Sequence, residues 1–332
     1  MALLDVTVKI DLTQPIGSVG LGVPLILEAG ATNEVAYTEC KTIATVKAAG
    51  FADTSDVYKA ALTMLMQNNA PSTIAVCATS KDADAWLSDI DNLGLGWRQL
   101  VVVGDVDVAK VMTAIETTKD KLYFADLDLE SATSLTVNGI KRTVLVYAKA
   151  TTDYPSAAAA VVGATAGKVA GSINYKNTQI KGIVAQTVTD TELEAIHAKG
   201  GLTIVKKAGD VVTSAGKTAG GDYIDIIDST DYVINNIEYR TQKALNNNDK
   251  IKFDDTGIAI LESVAVSVMR DAYNNGIIAT DEDGTPMYSV NYLPRASTTE
   301  TDRANRHYTG GQFAFTVSGA VDTCDVVGEL II

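Results

Sequence analysis

The residues that could carry out chemistry are few and widely separated. Gly216-Lys217-Thr218 resembles the end of a phosphate-binding loop. Such a loop needs another glycine five residues earlier, so that backbone N–H groups can surround a phosphate. That position is Val211, and the pattern therefore predicts a tight turn. The stretch GSVGLG has glycines in the wrong order for a dinucleotide site, and no predicted helix follows it.

The histidines and cysteines are too sparse for nucleophilic catalysis or metal binding. His197 and His307 are lone residues on predicted helices, and neither lies near a nucleophile elbow. Cys40, Cys77 and Cys324 lie far apart without CxxC spacing, which disfavours a disulfide framework or a zinc site. Acidic pairs are common among the 41 carboxylates and need no catalytic role. We expect no catalytic residue, cofactor or metal, and hence no enzyme.

The composition excludes several classes of partner. The 332 residues are 46% hydrophobic and 20% charged, as in an ordinary globular protein. A formal net charge of −14 disfavours a nucleic acid or an anionic membrane as the main partner. The sequence has no apolar run of about 20 residues and no secretory pattern. We therefore expect a cytoplasmic protein without membrane insertion.

The first half of the sequence alternates between predicted strands and predicted helices, which would position any site. Apolar runs such as STIAVCAT, RQLVVVG and RTVLVYAK read as buried strands, and helical patterns lie between them, including TECKTIATVKAAGF and DADAWLSDIDNLG. One helix should begin after Thr54 or Ser55. Alternation of this length predicts an α/β fold, with a layered body around a largely parallel sheet.

The pattern changes after residue 186. A hairpin is expected around Ala208-Gly209-Asp210, then a strand DYIDIID, and then a helix capped by Ser229 or Thr230. A second long helix should end at Asn275-Gly276, and the strands PMYSVNYLP, GQFAFTVSG and AVDTCDVVGELII should follow. The expected fold class is therefore mixed, α/β with α+β character and a second, mixed sheet domain.

These elements suggest four parts of the chain. They are an N-terminal arm and linker (1–25), an α/β domain (26–186), a C-terminal α/β domain (187–310), and a C-terminal strand and arm (311–332).

Both ends of the chain have the pattern of half-buried strands. In LLDVTVKIDL, apolar and polar residues alternate strictly. The residues alone leave open whether these strands pair within their own domain or with another chain. The apolar residues concerned are Leu4, Val6, Val8, Ile10 and Leu12 at one end and Val326, Val327, Leu330, Ile331 and Ile332 at the other.

Several long segments resemble one known family. They include VYKAALTMLMQNNAPSTIAVC, RTVLVYAKATTDYPSAAAAVVGATAGKVAG, GKTAGGDYIDIIDSTDYVINNIEYRTQKAL and RANRHYTGGQFAFTVSGAVDTCDVVGELII. In order and spacing they are similar to the tail sheath proteins of contractile phages and phage-tail-like bacteriocins. The resemblance covers most of the chain from about residue 50, without one diagnostic motif.

The resemblance implies a structural role. Sheath subunits form stacked hexameric rings around an inner tail tube, with baseplate and tail terminator proteins at the ends, and they contract from a metastable extended state. Their terminal arms add strands to neighbours' sheets, so exchange of the terminal strands is expected here. Assembly would take place in the host cytoplasm, as part of a virion or a bacteriocin-like particle.

Two smaller expectations accompany this role. Arg303 and Arg306 are candidates to face the tube, because they add positive charge to an acidic protein. The candidate hinges are Gly17, Gly20, Gly22 and Gly319. Two alternatives stay open: another self-assembling phage structural protein, such as a tube or capsid component, and a nucleotide-binding α/β enzyme.

Overall fold

The computed structural model describes residues 21–128, 135–148 and 156–326. The strands are β1 Val23–Glu28, β2 Val35–Cys40, β3 Ile74–Ala78, β4 Trp97–Val103, β5 Leu122–Asp128, β6 Thr143–Ala148, β7 Gly201–Lys207, β8 Asp210–Thr213, β9 Tyr288–Tyr292 and β10 Gly311–Phe315. The helices are α1 Ile43–Ala48, α2 Asp56–Leu65, α3 Ala83–Leu87, α4 Ile90–Leu93, α5 Val108–Glu116, α6 Ala157–Thr165, α7 Asp190–Ala198, α8 Ile224–Asn247, α9 Asp255–Asn274 and α10 Glu300–Ala304, with a short 3-10 helix at Arg295–Ser297.

The main sheet has eight strands in the order β2-β3-β1-β4-β5-β6-β7-β8. The six inner strands run parallel, and β2 and β8 join the two edges antiparallel. This confirms the largely parallel sheet expected from the alternating pattern. All five residues of β3 are buried, as expected for a parallel strand that is covered on both faces.

The two faces of the sheet carry separate hydrophobic cores. Ile26 points into the first core with α1, α2 and α6, whereas its neighbours Leu25 and Leu27 point into the second core with α3 and α5. Successive side chains of a strand point to opposite faces, so one short run supplies both layers. This is the layered α/β body that the sequence predicts.

Helix α6 is packed unusually closely against α2. All nine of its residues are buried, and most are alanine, glycine or valine. At Gly163 an added Cβ would lie 2.3 Å from the backbone oxygen of Met64. Small residues therefore allow the two helix backbones to approach each other over the sheet.

The predicted strand DYIDIID is wrong. Residues Ile224–Asn247 form a single helix of 24 residues, so Ser229 and Thr230 lie inside it and not at its cap. Ser229 donates to the Asp225 carbonyl, four residues back, at 2.6 Å. The segment alternates like a strand for only a few residues. Its buried positions, Ile224, Asp228 and Asp231, recur instead with helical spacing.

Other predicted elements differ in extent. The helix expected over DADAWLSDIDNLG consists of two short helices, α3 and α4. The first residues of TECKTIATVKAAGF, Thr38 to Cys40, belong to strand β2, and α1 starts only at Ile43. The described part of the last predicted strand, residues 320–326, is not a strand.

The second part of the molecule consists of the α8–α9 helix pair and a small sheet. Strands β9 and β10 form a two-stranded antiparallel sheet that packs on both helices around Val233, Ile237, Val268 and Met269. The main sheet extends past residue 186, because β7 and β8 belong to it. The predicted division near residue 186 therefore does not coincide with an end of this sheet.

Helix α8 contributes to two cores along its length. Ile224, its first residue, belongs to the first core over the main sheet. Val233 and Ile237 belong to the core beneath the small sheet. One uninterrupted helix therefore connects both parts of the molecule.

Candidate assembly surfaces

The residues with possible catalytic chemistry do not form a site. In Gly216-Lys217-Thr218, Lys217 pairs with Tyr223 in an isolated bridge, and its ammonium lies 4.5 Å from the centre of the Tyr223 ring. The predicted tight turn lies directly after this triplet, over residues 218–221, where the Gly221 amide donates to the Thr218 carbonyl at 2.9 Å. Among the described residues, no group of three or more His, Cys, Asp or Glu side chains could hold a metal ion. None of the described helices is long and apolar enough to span a membrane.

His197 belongs to a polar cluster at the β7–β8 edge of the main sheet. Its Nε2 lies 3.0 Å from the hydroxyl of Ser214. Burial, together with the charges of Lys176 and Lys207, lowers the pKa of His197 below its usual value. The hydroxyl of Ser214 also accepts from the Thr203 amide at 2.9 Å. These contacts tie the end of α7 to the sheet, and the hydroxyl that faces His197 belongs to Ser214, which is only 1% exposed.

A buried ionic network joins α8 to the main sheet. The guanidinium of Arg98, on β4, donates to Asp228 and, at 3.0 Å, to Asp231. Arg142 donates to both oxygens of Asp231, and the hydroxyl of Tyr175 donates to Asp228 at 2.8 Å. The side chains of Arg98 and Asp228 are each 2% exposed.

The neighbouring carboxylates keep the guanidinium of Arg98 charged inside the protein. Burial alone would lower the pKa of Arg98, but the adjacent Asp228 and Asp231 carboxylates raise it above its usual value. Charges that leave water require partners of this kind. None of these residues was predicted as functional from the sequence. The signal that could have indicated the network is Arg98 inside the apolar strand WRQLVVV, where a charge needs a buried counter-ion.

The small sheet presents backbone that could accept another strand. Over residues 288–292 and 311–315, β9 and β10 pair only with each other among the described residues. The side chains of Val290, Phe313 and Phe315 pack onto the α8–α9 core, while alternate residues are exposed. Both strands are edges, and unpaired strand edges recruit further strands.

Aromatic side chains fix one end of this small sheet. The rings of Tyr292 and Tyr308 stack with their centres 5.8 Å apart, and Phe253 meets Tyr308 edge-on at 6.0 Å. The Tyr308 hydroxyl donates to the Leu293 carbonyl at 2.8 Å. Burial raises the pKa of Tyr308 to about 12. These contacts hold the strand edges in place without a further strand.

The predicted strand-arm residues lie mostly outside the described part of the chain. This applies to Leu4, Val6, Val8, Ile10 and Leu12, and to Val327, Leu330, Ile331 and Ile332. Val326 is described, and 87% of its surface is exposed. It precedes the undescribed residues and has no strand partner in the described chain.

The predicted tube-facing arginines have different surroundings. The half-buried Arg303 donates to the carbonyl and hydroxyl oxygens of Thr298 and thus organises its own loop. Arg306 is exposed and has a left-handed backbone with φ of 55°. The structure brings neither arginine to a recognisable partner surface, and their role at a tube stays a prediction.

The predicted hinge glycines also differ from one another. Gly17 and Gly20 lie outside the described residues. Gly22 has φ of 105°, and an added Cβ would lie 2.7 Å from the backbone of Trp97, so this glycine is required by close packing. Nothing lies within 4 Å of a Cβ built on Gly319. Gly319 therefore has room for movement, whereas Gly22 is tightly enclosed.

Comparison of the complete architecture with solved structures gives several matches. A chain of the anti-feeding prophage baseplate, from a 6-fold symmetrised structure, matches with a TM-score of 0.74 at 14% identity, over 100% of both chains. The anti-feeding prophage helical sheath in its contracted state matches at 0.64 and 16% identity, over 100% of this chain and 99% of that chain. The fold is that of contractile sheath proteins.

A third structure has the same sheath fold. The contracted sheath complex of the extracellular contractile injection system PVC matches with a TM-score of 0.71 at 12% identity, over 96% of this chain and 94% of that chain. No family model and no curated protein sequence matches the chain. The likeness to sheath proteins is therefore one of three-dimensional structure, with a large mixed sheet and a small antiparallel one.

Proposed function

We propose that this protein is a structural subunit of a contractile tail sheath. The observation that carries the proposal is the full-length match to chains of sheath-bearing particles, from the main sheet through the small sheet. Fold likeness alone does not determine function. The open edges of the small sheet add an independent reason, since they offer a way for one subunit to bind the next.

In this proposal, subunits form stacked hexameric rings around an inner tail tube. The baseplate and tail terminator proteins would bind the two ends, and assembly would take place in the host cytoplasm. The sheath would assemble in an extended state of higher energy that is held by a kinetic barrier. Contraction would release that energy and drive the tube through a cell envelope without nucleotide hydrolysis, in keeping with a protein that is not an enzyme.

The terminal arms would connect the subunits. Leu4 to Leu12 and Val326 to Ile332 have apolar faces that suit a strand added to another chain's sheet. Burying each large apolar side chain contributes about 1.5–3 kcal/mol. Four or five per arm could hold neighbours together while the bodies move. Such contacts are head-to-tail and therefore propagate into a ring or a helix.

Electron microscopy of the purified protein tests the proposal. We expect negatively stained samples to contain hollow filaments of sheath dimensions. Deletion of Met1–Leu12 or of Val326–Ile332 should leave a folded, soluble protein that no longer forms filaments. A truncation that unfolds the body would place the strand within its own domain and contradict the exchange.

The two alternatives predict different results. A tube or capsid component would form narrow tubes or closed shells in the same micrographs. A nucleotide-binding enzyme would be stabilised against heat by a nucleotide, and we expect no such stabilisation.

A further inference from the structure

The chain leaves the small sheet through a segment that is almost wholly exposed. We call residues 318–326 the C-terminal segment. Its first residue is held by the chain just after α9, because the Ser318 amide donates to the Ile277 carbonyl at 2.8 Å. All residues of the segment are exposed except Asp322, whose side chain is only 24% exposed. An exposed segment with one half-buried polar residue indicates attachment at a single position.

Asp322 is held by two residues of the body. The Asn174 amide nitrogen donates to one carboxylate oxygen at 2.8 Å. The Lys176 ammonium lies 3.8 Å from the other oxygen and donates to the Asp322 backbone carbonyl at 3.1 Å. Lys176 therefore binds both the side chain and the main chain. Charge-assisted hydrogen bonds of this kind are about twice as strong as neutral ones.

The binding residues lie on a rigid turn. We call residues 174–178 the platform. Its second residue, Tyr175, is buried. The Tyr175 ring stacks on Phe124, with the ring centres 6.2 Å apart, and its hydroxyl donates to Asp228. Strand β8 holds the backbone on the other side: the Thr213 hydroxyl donates to the Tyr175 carbonyl at 2.5 Å and accepts from the Thr178 amide at 3.0 Å. The platform is therefore fixed from two directions.

The platform also orients the amide that binds Asp322. The Asn174 side-chain oxygen accepts from the Lys176 backbone amide at 3.0 Å, so its amide nitrogen points away from the platform toward the carboxylate. Gly216 lies against the same side chain, where an added Cβ would be 3.1 Å from the Asn174 oxygen. The donor is thus positioned by bonds that do not involve the C-terminal segment, as a preformed binding site requires.

We propose that the platform is a docking site for the chain's own C-terminal segment, with Asp322 as its anchor. The anchor lies three residues beyond Gly319, which has open space around it. It fixes the direction in which the chain continues after residue 322. If the protein is a sheath subunit, as proposed above, the anchor sets the point from which the C-terminal arm reaches a neighbour.

The C-terminal segment contains an exposed cysteine that can be labelled to test this proposal. Cys324 is exposed, two residues beyond the anchor, whereas Cys40 and Cys77 are buried. Burial also raises the pKa of Cys77 to about 11, so that this thiol reacts slowly at neutral pH. A maleimide nitroxide should therefore label Cys324 selectively. Its electron paramagnetic resonance spectrum reports the mobility of the segment in the unassembled, full-length chain.

The decisive variant is Asp322→Asn. It removes the charge while keeping the size, and we expect the ratio of detached to attached segment to rise about fivefold. Asp325→Asn is the matched control, because Asp325 is an exposed carboxylate in the same segment. Asp322→Lys should detach the segment further by repelling Lys176, and the added change Lys176→Asp should restore part of the attachment.

These spectra test the anchor at Asp322 independently of the proposed sheath function. An unchanged spectrum in Asp322→Asn, or an equal change in Asp325→Asn, would overturn the anchor whether or not the protein forms sheaths. A mobile spectrum in Asp322→Asn with an unaltered control supports it. Since the label is read before assembly, a failure to form filaments leaves this measurement interpretable.

Discussion

Replacing Asp228 by asparagine should destabilise the protein strongly. The Asp228 carboxylate accepts from the Arg98 guanidinium and from the Tyr175 hydroxyl, and both members of the ion pair are 2% exposed. Asparagine has nearly the same size, so it leaves no cavity. It has one acceptor oxygen instead of two, and its NH₂ group would face a donor. Among carboxylates, Arg98 would keep Asp231, which it shares with Arg142, and it would also keep the Asp120 backbone carbonyl, which accepts at 2.5 Å.

The expected cost follows from this geometry. Removing one partner of a buried ion pair costs about 3–5 kcal/mol, because the remaining charge stays buried. The loss is large compared with a typical total stability of about 5–15 kcal/mol. Part of the Arg98 charge is still balanced by Asp231, which puts our expectation near the lower end, at about 3 kcal/mol.

Urea unfolding provides the measurement. Trp97 is fully buried next to Arg98, so its fluorescence should report the loss of this region, and far-ultraviolet circular dichroism should report the helices. Asp249→Asn is the control, because Asp249 is an exposed carboxylate just after α8. It should change the free energy of unfolding by less than about 0.5 kcal/mol.

A double variant identifies the cause. In Arg98→Met with Asp228→Asn, the unpaired charge is gone, and the combined cost should be lower than the sum of the single costs by about 2 kcal/mol. If Asp228→Asn costs no more than Asp249→Asn, or if the two single effects simply add, the ionic network does not hold α8 to the sheet as argued.

Two further predictions concern other parts of the body. Gly163→Ala should lower stability by about 1–3 kcal/mol, because its Cβ would lie 2.3 Å from the Met64 backbone oxygen; Gly319→Ala, in open space, is the control in urea unfolding. The lowered pKa of His197 means that the unfolded chain binds a proton there more readily. The stabilising effect is present above the usual value of 6.5 and is lost as the pH falls below it. His197→Gln should therefore lose less stability than the parent between pH 7.5 and about 5.5.

A specific experimental result would contradict each of these two predictions. Equal stability of Gly163→Ala and Gly319→Ala would mean that α6 can move away from α2 at no cost. Parallel stability curves for His197→Gln and the parent below pH 6.5 would mean that His197 titrates alike in the folded and unfolded chains.

The alternation of apolar runs and helical patterns was sufficient to predict the main sheet. Its inner strands are short, apolar and bounded by turn residues, so local sequence and tertiary environment agree. The predicted cap at Ser55 is also confirmed, since its hydroxyl accepts from the Tyr58 amide. Patterns of this kind depend on neighbouring residues alone, which explains why they could be recognised without the fold.

The start of α8 could not be predicted in this way. Asp228 and Asp231 are buried polar residues, which an analysis of apolar periodicity places on the solvent side. Their burial depends on Arg98 and Arg142, about 130 and 89 positions away in the sequence. The anchor at Asp322 depends in the same way on Asn174, 148 positions away. Contacts between such distant residues leave almost no local signal.

The continuity of α8 has a mechanical consequence. The helix is about 36 Å long if it has the usual rise per residue. It enters the core of the main sheet at its first residue and the core of the small sheet near its middle. A force applied to the edges of the small sheet would therefore act on one continuous helix, whose N-terminal turns are held to the main sheet by buried ion pairs. It would not simply stretch a loop. In the proposed sheath, a pull from a neighbouring molecule on the small sheet would therefore be passed to the main sheet through this helix.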